Sequence, residues 1–110
     1  MITSFIELVP GFGNREAMLE ILQFVESGLA HNSACVCCRI YEGLDQDHTI
    51  LYFEQWESEQ ALYNHIRSRS YLPVLNAIDL ARTEPKITFH EVSNMQGMDL
   101  IEALRSRVSH

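Results

Sequence analysis

The sequence predicts an α+β domain of the ferredoxin-like type, with a four-stranded antiparallel sheet and its helices on one face. Three observations lead there. Four stretches read as strands, with period-two alternation in residues 2–9 and 51–56, and helical stripes fall after the first and third of them. The order is therefore β-α-β-β-α-β, two half-units that pair into one sheet. Finally, 110 residues leave room for a single domain.

Each element has a local cause. Residues 2–9 alternate Ile2, Ser4, Ile6 and Leu8 against Thr3, Phe5, Glu7 and Val9, a strand with both faces partly covered. Pro10-Gly11-Phe12-Gly13 ends it, and Asn14 can cap a helix that has Glu16 in its first turn. Met18, Ile21, Leu22, Val25 and Leu29 make that helix's apolar stripe, and Gly28 sits where a left-handed end residue is often needed. Residues 34–42 and 48–56 read as a hairpin joined by the loop 43–47.

In the second hairpin strand, Tyr52, Glu54 and Trp56 share one face, and Leu51, Phe53 and Gln55 the other. Ser58 then caps a helix carrying Ala61, Leu62 and Ile66, and His65 falls about two turns into it. Pro73 separates this helix, over 58–69, from a short helical piece at 73–80, because a residue before proline, here Leu72, is biased away from helix. A last strand runs from Lys86 to Val92. Beyond it, Met98, Ile101, Leu104 and Val108 have helical spacing, so residues 95–108 are expected to form a further amphipathic helix.

Bulk properties narrow the function classes. Hydrophobic content of 46% with 21% charge is that of a soluble globular protein. A net charge of −7 and a single lysine, Lys86, argue against nucleic acid and anionic membrane partners. The N-terminus lacks the basic start of a signal peptide, and no apolar run reaches the ~18 residues of a membrane span. Cys35, Cys37 and Cys38 are odd in number and too close along one strand to bridge easily, so reduced thiols in a cytoplasmic protein are expected. A regular strand would point Cys35 and Cys37 to one face and Cys38 to the other. They would then be small buried hydrophobes with no metal to bind. No Gly-rich phosphate loop or flavin site is visible.

The segment Glu54-Gln-Trp-Glu-Ser58, with His65 nine positions after the tryptophan, resembles the signature of antibiotic biosynthesis monooxygenase domains, especially the quinol monooxygenase type. Pro10-Gly11 and the strand Cys35-Val-Cys-Cys-Arg-Ile-Tyr41 fit the same layout. The resemblance covers roughly residues 2–92, giving a domain at 1–93 and a helical extension at 94–110. It implies a homodimeric α+β barrel in which two sheets pack face to face. Leu51, Phe53, Phe5 and Phe89 are the candidates for the sheet face that the helices leave uncovered.

The resemblance further implies cofactor-independent oxidation of a quinol or polycyclic phenol by dioxygen. His65 would be the base and Glu54 an orienting or polarising group, with Trp56 and Tyr52 as cavity wall. An imidazole near its reference pKa of ~6.5 can take a proton at neutral pH. Tyr52 stands where family members doing this chemistry carry asparagine. Haem-degrading members use a first-strand asparagine and a histidine after the second helix; the matching positions are Ser4 and a site near Leu75, so haem degradation is not expected. Ser4 joins the substrate-binding candidates.

Plainer readings stand beside these. Trp56 would be an ordinary core residue, Glu54 would pair with Arg39 on the neighbouring strand, and His65 would be a buried structural histidine. The alternative function is a non-catalytic dimeric module binding a small aromatic ligand.

Overall fold

A computed structural model describes residues 1–108. The strands are β1 (Ile2–Leu8), β2 (Cys35–Glu42), β3 (Ile50–Trp56) and β4 (Lys86–Glu91). The helices are α1 (Arg15–Leu29), α2 (Glu59–Arg67), α3 (Leu72–Asp79) and α4 (Met98–Val108), with a 3-10 turn at Arg69–Tyr71. All strand pairs are antiparallel, in the order β2-β3-β1-β4. This is the ferredoxin-like arrangement that the alternation predicted.

The register fixes the two faces. Ile2, Ser4, Ile6 and Leu8 of β1 lie opposite Trp56, Glu54, Tyr52 and Ile50 of β3, and all eight are buried. Met18, Leu22, Val25 and Leu29 of α1, Leu62 of α2, Tyr71 of the turn, and Val74 and Ala77 of α3 close over them. Burying such a side chain is worth about 1.5–3 kcal/mol. The opposite face carries Phe5, whose ring lies 5.0 Å from that of Phe53, with Glu7, Leu51 and Gln55, and among the described residues the buried helix side chains pack on the other face. Phe89 does not belong there. It pairs with Ser4 and so stands on the helix side of the edge strand, 49% exposed. The phase of β4 is set by its pairing with β1, which the sequence of an isolated strand does not disclose.

Four local expectations change. Asn14 occupies the N-cap of α1, but its side chain makes no capping hydrogen bond. Gly28 is an ordinary helical residue; the helix ends at Ala30, which stays right-handed. The break after α2 falls at Ser68, whose ψ is 161°, while the pre-proline Leu72 has helical angles and opens α3. A register shift between Cys35 and Cys37 also reassigns the thiols. Cys35 opposes Trp56 and Cys38 opposes Glu54, both on the helix side, whereas Cys37 opposes Gln55 on the open face. The bulge adds one residue to β2, so alternation is broken there.

The expected terminal helix is present from Met98. Every side chain described in it is exposed, with Met98, Ile101 and Leu104 more than half so. The Val108 side chain of the predicted stripe lies outside the described residues. Among the described residues, no helix is long and apolar enough to cross a membrane.

Candidate functional site

A buried carboxylate organises the inside of the sheet. Three alternate residues of β3, Tyr52, Glu54 and Trp56, all point under the helices, and Glu54 is 1% exposed. An unpaired charge there would be costly, so its partners matter. Trp56 Nε1–H donates to Glu54 Oε1 at 2.9 Å, and the Tyr52 hydroxyl donates to Oε2. His65 Nε2 meets the same Oε2 at 3.1 Å. Arg39 takes no part; it faces the open side and donates to the Cys38 carbonyl. The sequence's charge-pair alternative for Glu54 is thus replaced by three polar neighbours on its own side of the sheet.

His65 reaches the carboxylate because α2 starts where it does. Ser58 is extended, and its Oγ accepts the Ala61 N–H at 3.2 Å, which fixes the first turn. Leu62 and His65, three apart, then form the buried side of the helix. The imidazole is held between two rings. Trp56 lies at 4.8 Å and 31°, and Tyr71 meets it edge-on at 5.1 Å and 85°.

These contacts assign the imidazole's hydrogen. A carboxylate only accepts, so Nε2 carries the proton in the His65–Glu54 bond. In the neutral ring, Nδ1 then keeps its lone pair. Nδ1 has no protein partner, yet the one buried side-chain nitrogen or oxygen without a partner among the described residues is Arg15 Nε. The His65 ring as a whole lines the cleft on the Trp56 side.

That cleft, of about 340 Å³, is walled by Trp56 and His65 and edged by Asn32, Asn64, Ser68 and Ser70. A second hollow of about 190 Å³ lies on the α1 side and shares Asn32, His65 and Ser70 with the first. Of the five residues proposed from sequence, Trp56 and His65 face this space. Tyr52 and Glu54 stand behind them and line neither hollow. Ser4 is buried opposite Glu54 in the β1–β3 register, but no hydrogen bond joins its hydroxyl to the cluster.

Electrostatics keep the supporting groups protonated. Burial, and then the nearby Glu54 charge, raise the Tyr52 phenol above its ordinary value. The same two causes raise Tyr71 to about 12. Burial pushes the Cys38 thiol up to about 12, and its Sγ–H donates to the Tyr52 hydroxyl at 3.4 Å. Cys38, Tyr52 and Glu54 thus form a chain of donors ending on the carboxylate. Cys35, raised to about 11 mainly by burial, is likewise no nucleophile at neutral pH. Among the described residues, no group of three or more His, Cys, Asp or Glu side chains is placed to hold a metal ion.

Sequence reasoning missed Cys38, Tyr71 and the polar rim. Cys38 was hidden by the bulge, and Tyr71 by its place in a connecting turn. For the rim, Ser68-Arg-Ser70 just after the helix was the available signal.

No family model and no curated protein matches the chain. Solved structures do. A Deinococcus radiodurans protein, provisionally named an antibiotic biosynthesis monooxygenase, superposes with a TM-score of 0.78 at 19% identity, covering 88% of this chain and 97% of its own. The Rv0793 protein of Mycobacterium tuberculosis gives 0.77 at 20% identity, covering 87% and 98%. A Nitrosomonas europaea protein with the same provisional name gives 0.75 at 13%, covering 86% and 100%. This chain therefore has the ferredoxin-like fold found in structures named antibiotic biosynthesis monooxygenases.

Proposed function

We propose that the protein is a member of the antibiotic biosynthesis monooxygenase family and oxidises a quinol or polycyclic phenol with dioxygen, without a cofactor. The observation that carries the reading is the buried Glu54–His65 pair, whose imidazole lines the cleft; with Nε2 bonded to Glu54, Nδ1 would be the nitrogen left to act as base. A phenol in the cleft would give its proton to Nδ1. Glu54 would stabilise the resulting imidazolium, and the electron-rich phenolate would reduce dioxygen. For a simple hydroquinone, one molecule of the quinol and one of dioxygen give one hydroxybenzoquinone and one water. The ring gives up four electrons, one oxygen atom bonds to a ring carbon, and the other leaves as water. Trp56 would line the ring's face.

The working unit in this reading is a homodimer. The open sheet face presents Phe5, Leu51 and Phe53, and a second copy would remove that apolar surface from water. Light scattering is expected to give about twice the 12.7 kDa chain mass; a monomer at micromolar concentration would remove the barrel.

The activity test is oxygen uptake across a hydroquinone panel. Wild type is expected to consume dioxygen above background, and His65→Ala to lose that activity while still binding ligand. Ligand binding without any turnover would point instead to the non-catalytic binding module.

A further inference from the structure

We infer that the ligand is bipartite: a phenolic ring carrying a flexible hydrocarbon chain, such as an alkyl- or prenyl-substituted hydroquinone. The inference rests on the reading of the His65 cleft given above and extends it to the second hollow. The two hollows have His65, Asn32 and Ser70 in common among their lining residues, so they flank the same imidazole. Their characters differ. The Trp56 side is rimmed by carboxamides and hydroxyls that suit a ring with hydroxyl groups. The α1 side is lined by Phe24, Val25, Gly28 and Leu29, which offer a hydrocarbon chain apolar contact and no charge.

Gly28 is the telling residue. It lies in the last turn of α1 with ordinary helical geometry, so no left-handed conformation requires glycine. A Cβ added there would meet nothing within 4 Å, so no close packing requires it either. Glycine in a helix costs about 1 kcal/mol against alanine, and here neither backbone nor packing repays that cost. What its missing side chain does leave is open space one turn beyond Phe24, on the same helix face. Phe24 itself is 71% exposed, a large apolar ring with no partner in the domain core. A chain leaving the ring at His65 would run across Gly28 and beneath Phe24. Neither feature serves a ligand confined to the Trp56 side.

Anaerobic calorimetric titration tests this, with hydroquinone, butylhydroquinone and hexylhydroquinone as probes. Each buried methylene is worth about fourfold in affinity, so a butyl chain is expected to bind on the order of a hundredfold tighter than the bare ring. Gly28→Leu fills the hollow and places a better helix former in α1, so it should fold at least as well as wild type. It is expected to abolish the gain from the chain and leave the affinity for bare hydroquinone within about twofold. Gly28→Ala should lose only part of the gain.

If the bare ring binds and the chain adds nothing, or if Gly28→Leu keeps the full gain, the inference is overturned and the cleft reading stands. Failure of every probe to bind wild type overturns both. Binding with the chain effect but without aerobic oxygen uptake supports the inference and removes the oxygenase.

Discussion

Replacing Glu54 by glutamine tests the centre of the site, because it removes a charge and exchanges one acceptor for a donor with almost no change of shape. The carboxylate accepts from Trp56 at one oxygen and from Tyr52 and His65 at the other. A buried amide can meet these neighbours in two ways. With its oxygen at the Tyr52–His65 position, the NH2 faces the Trp56 N–H, donor against donor, at a cost of about 1–3 kcal/mol. Turned round, it satisfies Trp56, but then donates to His65 Nε2, which must give up its hydrogen. The imidazole becomes the Nδ1–H tautomer, and its lone pair moves to Nε2. This second arrangement gives up bonds to a charge, worth about 1.5–3 kcal/mol each, for neutral ones worth about 0.5–1.5. Either way Glu54→Gln is expected to lower stability by about 1–3 kcal/mol, or roughly 5–20 °C in Tm for a domain of this size. Activity should fall about 10²–10⁴-fold, the usual contribution of a positioned base. Calorimetry measures the first effect, and nitrogen NMR of the labelled imidazole reports the tautomer. A variant as stable as wild type, with Nδ1 still unprotonated and activity intact, would refute the role given to the carboxylate.

Three further outcomes are expected. Stability should decline as pH rises above about 9: unfolded thiols and phenols ionise near 9.0 and 10.0, while the folded values are about 11 for Cys35 and about 12 for Cys38 and Tyr71. The folded state keeps protons that the unfolded chain releases, so the loss runs between about pH 9 and 12, and Cys38→Ala should flatten its first part in urea titrations. Ser58→Ala removes the cap of α2 and should cost about 0.5–2 kcal/mol by chemical denaturation, with an accompanying loss of activity because His65 rides on that helix. Deleting residues 95–110 should lower Tm and shift the population towards monomer by light scattering, if the exposed stripe of α4 is covered by a second subunit; an unchanged truncated protein would remove α4 from the interface.

Most of the fold was legible because it depends on local periodicity. The alternation in residues 50–56 was enough to place Tyr52, Glu54 and Trp56 together, and the Ser58 cap was enough to bring His65 near them. What could not be read depends on neighbours. The bulge in β2 exists only relative to β3, so the thiol facing Tyr52 was assigned to the wrong set. Phe89 takes its face from its pairing with Ser4. Tyr71 packs on His65 through a turn with no period to follow. The closing of Glu54 by donors from its own strand, in place of Arg39, also needed three dimensions: residues two apart on a strand are not an obvious hydrogen-bonded set until burial leaves them no water.

The placement of Tyr52, Glu54 and Trp56 on consecutive inward positions of β3 also bears on misfolding. A slip of one residue in the pairing of β3 would turn all three outward and bring Leu51, Phe53 and Gln55 beneath the helices. The carboxylate would then lie on the open face, without the tyrosine-to-thiol link or the histidine. Tyr52 and Trp56 would move with the carboxylate, but the indole would lose its burial and Glu54 its histidine together, so these two losses are a single event. The one tryptophan is thus a gauge of strand register: its emission should separate correctly paired molecules from slipped ones before any substrate is added.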